Sequence, residues 1–301
     1  MENFLLIIVC ILLGYIIQKL KLFPENAPNI LNQFVIYISL PALILLEFPK
    51  IEFSFSIIVP IVIGWSVMIS SALLVLLFSK VLKFAREVTG ALMLVTVLGN
   101  TIFVGLPLIE AYYGKESIPY ILMYDQLGTF IFLTIYAPLI VSIYSGNEKF
   151  HLKSIIQKVI VFPPFLALLV VLVLMNIVYP YPKELTYILS VLASTITPVI
   201  LVAVGLQLQF KLPKEYITPF VSSLTIKLII SPILAIIICY IFDWNDLAAK
   251  VSILEAGMAS MITAGAIASL AGLAPRLSNA IVGYGILFSF ITTGVVFRFL
   301  G

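Results

Sequence analysis

The chain has 301 residues, 62% of them hydrophobic and only 10% charged, with a mean hydropathy of +1.20 and a formal net charge of +3. A soluble domain carries about 25% charged residues. No soluble fold of this length hides so much apolar surface, so the composition specifies a polytopic membrane protein. The two cysteines, Cys10 and Cys239, lie in separate apolar runs and the single histidine, His151, in the most charged loop, which excludes a disulfide framework, a metal site and a Ser-His catalytic apparatus.

In chain order, apolar stretches bounded by charge or Pro/Gly clusters predict ten spans, at roughly 3–20, 27–47, 54–79, 87–113, 117–144, 159–179, 184–210, 216–242, 246–271 and 277–299. The alternation of a membrane β-barrel is absent. The first stretch, "FLLIIVCILLGYIIQ", has no basic region before it and no small-residue cleavage site after it, and reads as a retained helix. Loops 1–2, 3–4, 5–6, 7–8 and 9–10 carry Lys19, Lys21, Lys80, Lys83, Arg86, Lys149, Lys153, Lys158, Lys211, Lys214 and Arg276; the other side carries Lys50, Lys115, Lys183, Lys250 and Arg298. The basic-rich side is expected to be cytoplasmic, with both termini outside the cell membrane.

Helix breakers recur between the halves. Pro41 in span 2 returns as Pro198 in span 7, Pro60 as Pro219, and Gly99 and Gly114 of span 4 as Gly257 and Gly272 of span 9. Five spans per half is an odd number, so the second half enters upside down. The expected architecture is all-α, an inverted five-plus-five repeat with residues 1–148 as the first repeat and 149–301 as the second.

The stretch "LGNTIFVGLPL" at 98–108 places Gly99, Asn100, Thr101, Gly105 and Pro107 inside an apolar span. Pro107 cannot donate to the carbonyl of Phe103, and freed backbone in lipid is tolerated where it lines a cavity or packs inside protein. Span 4 is therefore expected to break near the membrane centre and present a half-helix N-terminus, which favours negative charge. Its partner is "EAGMASMITAGAIASLAG" at 255–272, with Gly257, Met258, Ala259, Ser260, Thr263 and Gly265. The plainer reading is that small residues merely let helices pack closely. Two breaks at matching places point instead to a midplane anion site.

"GNTIFVGLP" followed by "YYG", with "ISLPALIL" in span 2 and "KLIISPIL" in span 8, resembles the auxin efflux carrier family, which includes the plant PIN-FORMED proteins and belongs to the bile acid/sodium symporter-like superfamily. The resemblance covers all ten spans. It implies that spans 4 and 9 cross as broken helices, that a transport domain of spans 3–5 and 8–10 moves elevator-like against a scaffold of spans 1, 2, 6 and 7, that an organic anion is carried, and that the protein is a homodimer joined through the scaffold. Asn100 and Pro107 match the family's crossover residues. Span 9 departs from the pattern: where many members have Met-Pro followed by Asn, this chain has Met258, Ala259 and then Thr263, so the second break must rest on Gly257 and Gly265.

Charged residues inside spans are costly and are functional candidates by default. Glu110 lies near an interface. Asp125, beside Tyr124 and Gln126, either binds a coupling proton or cation or pairs with a lysine. Lys227 either neutralises an anionic substrate or forms a standing pair with Glu255 or Asp125. Glu255, two residues before Gly257, is a candidate for the coupling element. Ser194, Thr195 and Thr197 are expected to cap the kink before Pro198. Enzyme readings fail on motifs: "YDQLG" at 124–128 lacks the second Gly-flanked aspartate of an intramembrane protease, and "IYSG" at 143–146 lacks the first glycine of a rhomboid-type site.

The reading is thus a carrier of small organic anions, auxin-like carboxylates or dicarboxylates, with a channel or a non-transporting sensor as alternatives. Its substrate contacts are Gly99, Asn100, Thr101, Pro107, Gly257, Met258, Ser260, Thr263 and Lys227, and its coupling or charge-pair candidates are Asp125, Gln126 and Glu255. It needs no cofactor beyond a coupling proton or sodium ion, and no nucleic-acid partner.

Overall fold

The computed structural model describes residues 2–50, 55–145, 161–175, 177–208 and 212–301. Lys149, Lys153, Lys158, Lys211, His151 and the expected boundary between the two halves lie outside these residues. Among the described residues helices are the only regular secondary structure, apart from one isolated antiparallel bridge between Gly99 and Ser260.

We number the helices α1 (Glu2–Lys19), α2 (Ala27–Lys50), α3 (Ile58–Val81), α4 (Arg86–Val95), α5 (Thr101–Tyr113), α6 (Lys115–Ser145), α7 (Pro163–Leu174), α8 (Lys183–Gln207), α9 (Lys214–Ile241), α10 (Leu247–Ala256), α11 (Ile262–Leu270) and α12 (Pro275–Leu300). Six of these, α2, α3, α6, α8, α9 and α12, are each long and apolar enough to cross a membrane alone. The apolar α1 and α7 are shorter. The pairs α4/α5 and α10/α11 are the two halves of interrupted helices.

Proline sets much of the local geometry. Three five-residue π-helical turns, Val35–Ser39 in α2, Thr101–Gly105 in α5 and Ile226–Ile230 in α9, each end two residues before a proline: Pro41, Pro107 and Pro232. A proline inside an α-helix removes one donor and drives its ring into the carbonyl four residues back. Widening the preceding turn relieves that clash: the N–H of Leu40, Leu106 and Ser231 reaches the fifth carbonyl back, on Val35, Thr101 and Ile226. Span 4 was expected to break near the membrane centre, within the stretch from Gly99 to Pro107, and Pro107 was expected to free the Phe103 carbonyl. Instead α5 runs through Pro107, which sits in the first α-turn after the widened one, and the interruption lies upstream at 96–100.

A fourth π-helical stretch, Tyr124–Phe130 in α6, carries Asp125 and Gln126. In α8 the helix is interrupted at Thr195, where the Ser194 and Thr195 hydroxyls donate to the Val191 and Leu192 carbonyls, 2.7 and 2.6 Å away. Thr195 also lies 2.7 Å from the Ser39 hydroxyl, tying the kink to α2.

Lipid offers no hydrophobic drive for helices to associate, so packing rests on close contact and buried hydrogen bonds. The most intimate pair is α1 with α8: a Cβ on Gly14 would fall 2.2 Å from the Val202 carbonyl, and one on Gly205 2.2 Å from that of Ile11. The helices α1, α2, α7 and α8 contact one another densely, and so do α3–α6 with α9–α12. Within the second group, Ser71 of α3 and Ser231 of α9 share a hydrogen bond of 3.1 Å. Lys83 and Asp243, each between a long helix and an interrupted one, share a left-handed backbone (φ 54° and 55°), and Gly114 and Gly272, each closing a half-helix, do likewise (φ 73° and 72°).

Candidate functional site

Both interruptions occur in the buried middle of the molecule and meet. Residues 96–100 leave the helix after α4, and residues 257–261 leave it after α10. The two segments lie antiparallel: the Asn100 N–H donates to the Ala259 carbonyl (2.8 Å) and the Met261 N–H to the Leu98 carbonyl (2.9 Å). Each break thus supplies partners for backbone groups the other has freed, which lipid could not. Span 9 breaks fully without a proline.

Side chains complete the crossover. The Thr96 and Ser223 hydroxyls lie 2.7 Å apart, and Lys227 Nζ donates to the Val97 carbonyl at 3.4 Å. A Cβ on Gly99 would stand 3.0 Å from that ammonium, so the glycine makes room for it. Neither expected ion pair of Lys227 forms. Among the described residues no carboxylate oxygen comes within 4.0 Å of it, and the pair that does form is Lys50–Glu47 at the end of α2. The reason is local: unwinding exposes the Val97 carbonyl, and that dipole takes the ammonium.

Asn100 caps α5. Its Oδ1 accepts from the Phe103 N–H at 3.2 Å, while Nδ2 has no partner among the described residues although the residue is only 3% exposed. Thr101 donates to Asp125 Oδ1 at 2.5 Å, and Gln126 Nε2 donates to Asp125 Oδ2 at 2.7 Å. Asp125 therefore binds the half-helix to α6, and among the described residues it pairs with no lysine, the other reading. Glu255 is completely buried, both of its carboxylate oxygens lack a hydrogen-bond partner among the described residues, and it packs so closely on α5 that a Cβ on Gly105 would fall 2.6 Å from Oε2. The Ser260 hydroxyl is likewise buried without a partner.

In front of the crossover lies a cavity of about 230 Å³. Its polar rim is Asn100, Asp125 and Thr263; the first residues of α5 (Ile102, Phe103) and of α11 (Ile262, with Met261 before it) complete that side, and Ile36, Leu40, Phe130, Leu133 and Phe162 form an apolar wall. Phe130 and Phe162 stack with ring centroids 4.0 Å apart.

Of the residues singled out from sequence, Asn100, Asp125 and Thr263 line this cavity. Gly99, Thr101, Ser260 and Gln126 support it from behind. Pro107 is buried within α5, Met258 is fully buried in the apolar core, Gly257 packs against Pro232, and Lys227 and Glu255 lie behind the crossover. Sequence reasoning missed the apolar wall. Phe103, opposite that wall and three residues after the Asn100 cap, was the one apolar lining residue with a local signal.

Two interrupted helices whose freed backbones pair across a buried core, with a small cavity at the start of their second halves, define an all-helical membrane protein with a crossed-helix centre. Sequence comparison gives the class its name. The membrane transport protein family, the auxin efflux carriers, matches residues 1–297, and the chain belongs to it. It is 29% identical over 269 residues to an uncharacterized transporter of Methanocaldococcus jannaschii, covering 86% of this chain and 85% of that one. It is 27% identical over 271 residues to an uncharacterized transporter of Methanothermobacter thermautotrophicus, covering 89% and 87%. The protein is a multi-pass membrane transporter.

Proposed function

We propose that this transporter carries small organic anions, holding a carboxylate at the crossover and an apolar body against the phenylalanine wall. The observation that carries this reading is the Asn100 amide: a buried donor without a partner, at the rim of a cavity. A buried unsatisfied donor is costly unless a ligand completes it. The first N–H groups of α5 and α11 lack intrahelical acceptors and carry the positive ends of the helix dipoles, and Thr263 adds a hydroxyl. Among the described residues no lysine or arginine lines the cavity; the positive potential comes from dipoles, and Lys227 is a positioning residue that fixes the unwound Val97 carbonyl. At about 230 Å³ the cavity lies below the roughly 300–1,000 Å³ typical of drug-sized ligands, which favours a small solute.

The alternating-access motion is elevator-like, with α3–α6 and α9–α12 sliding against α1, α2, α7 and α8. The segregation of dense helix contacts into these groups supports it. An inverted repeat of five spans each is supported by the matched breaks, the matched left-handed turns and the Ser71–Ser231 bond between residues 160 apart. The dimer forms through α1, α2, α7 and α8 in the cytoplasmic membrane, with both termini outside. Coupling to a proton or sodium ion, where present, uses Asp125 or Glu255.

Counterflow in proteoliposomes tests the reading. Vesicles loaded with unlabelled indole-acetate, malate, malonate, lactate or a bile acid are offered the labelled acid, with wild type beside Asn100→Ala. Saturable exchange of one acid, lost in the variant, supports the carrier and its site. Exchange unchanged by Asn100→Ala refutes the site, and solute flux without saturation or exchange indicates a channel.

A further inference from the structure

A second and larger cavity, about 590 Å³, opens beside the crossover at the end of the molecule where α1 meets α2. At about 30 Å³ per water it has room for roughly twenty waters. Its lining is mixed and includes more polar side chains than that of the first: Gln18, Lys21, Glu25, Asn29, Gln207 and Asn279 stand beside apolar residues such as Phe23, Leu206 and Val282. One wall belongs to α1, α2 and α8, the other to α11 and α12, so it runs along the seam between the two helix groups. The Gln18 amide donates to the Leu206 carbonyl (2.7 Å) and the Leu208 carbonyl (3.3 Å), which covers the end of α8 on that wall.

The two cavities share one lining residue, Ile262. It is half-buried and is the first residue of α11, directly after the crossover. On the side of the small cavity its neighbour is Thr263; on the side of the large one, a turn further along the helix, are Gly265 and Ala266. An apolar side chain shared by a cavity with room for water and a smaller one with an apolar wall raises the barrier for a hydrated solute without closing the path permanently.

We infer that the polar cavity is the vestibule through which solute reaches the crossover from the Lys21 end, and that Ile262 is the residue that gates and sizes this passage. The inference rests on the crossover cavity being the solute site. It adds a route, a side and a residue: a solute approaches over Gln18, Lys21 and Asn279, sheds water at Ile262 and reaches Asn100. Because Lys19 and Lys21 stand at this end, the vestibule opens to the cytoplasm.

Thiol accessibility tests this without requiring transport. In a Cys10→Ala, Cys239→Ala background, single cysteines are placed in the vestibule (Ala266→Cys) and in the small cavity (Phe103→Cys). Each is reacted with a membrane-impermeant trimethylammonium methanethiosulfonate in inside-out and right-side-out vesicles. The expected result is modification of Ala266→Cys in inside-out vesicles alone, with Phe103→Cys reacting at least tenfold more slowly. Adding Ile262→Ala speeds the Phe103→Cys reaction at least fivefold and Ile262→Trp slows it by as much, while Ala266→Cys reacts at one rate throughout and reports that the fold is intact. A Phe103→Cys rate indifferent to residue 262, or faster modification of either site from the outer face, overturns the inference. Counterflow that fails while these rates hold refutes the proposed substrate and leaves the passage standing.

Discussion

The two interruptions reach the same geometry from different sequences. The first, at 96–100, is followed by an asparagine cap, a widened turn and Pro107; the second, at 257–261, has neither an amide cap nor a proline. Yet both leave the helix for five residues, and they pair with each other through two backbone hydrogen bonds. What breaks a membrane helix here is the supply of partners for its freed backbone, and proline only adjusts the turn that follows. The first break differs in chemistry: Asn100 leaves a donor unspent and Thr101 reaches Asp125, whereas the second contributes Thr263 alone to the cavity's polar rim.

This contrast orders the expected effects of substitution. The largest falls on Asn100→Ala. A hydrogen bond to a charged acceptor contributes about 1.5–3 kcal/mol, so exchange is expected to fall by roughly 10- to 150-fold in counterflow. Next is Gly105→Ala, which presses a methyl group into the Glu255 carboxylate. Overpacking of this kind costs about 1–3 kcal/mol, read as a lower thermal midpoint in detergent. Gly128→Ala in α6, where a Cβ meets nothing within 4 Å, serves as the unaffected control. A normal midpoint for Gly105→Ala would mean that Glu255 yields easily and that the two half-helices are not locked together.

Thr263→Ala should cost less, about 0.5–1.5 kcal/mol for a neutral hydroxyl contact, or roughly two- to tenfold in exchange. An effect equal to that of Asn100→Ala would make the two breaks functionally symmetric. The smallest effect is expected for Pro107→Ala. If backbone pairing rather than proline maintains the break, exchange stays within about twofold of wild type and the midpoint moves by less than about 1 kcal/mol equivalent. A large loss would return the decisive role to the proline.

Much of this was legible in the chain itself. Sixty-two per cent hydrophobic residues and clustered Lys and Arg compel a membrane protein, because only helices satisfy their own backbone in lipid. Glycine and proline punctuation located both interruptions to within a few residues, and Asn100, Asp125 and Thr263 were identified as site candidates by their polarity in apolar surroundings. Polarity could not say which way a side chain faces. Lys227 and Glu255 stood out as strongly as Asn100, yet both are buried and neither lines the cavity, and Lys227 bonds a carbonyl that exists as a free acceptor only because the helix unwinds.

The apolar wall was invisible for the opposite reason: in a chain this hydrophobic, Ile36, Leu40, Phe130, Leu133 and Phe162 look like every other lipid-facing residue, and only the packing of α2, α6 and the start of α7 turns them inward. Sequence by itself determined the medium, the all-helical class and roughly where two of the helices fail, since these depend on local composition and on single residues without donors or side chains. The tertiary structure alone decided that the two failures meet, that they satisfy each other, and that one amide donor is left over at a cavity, because those facts depend on residues about 160 positions apart coming within hydrogen-bonding distance.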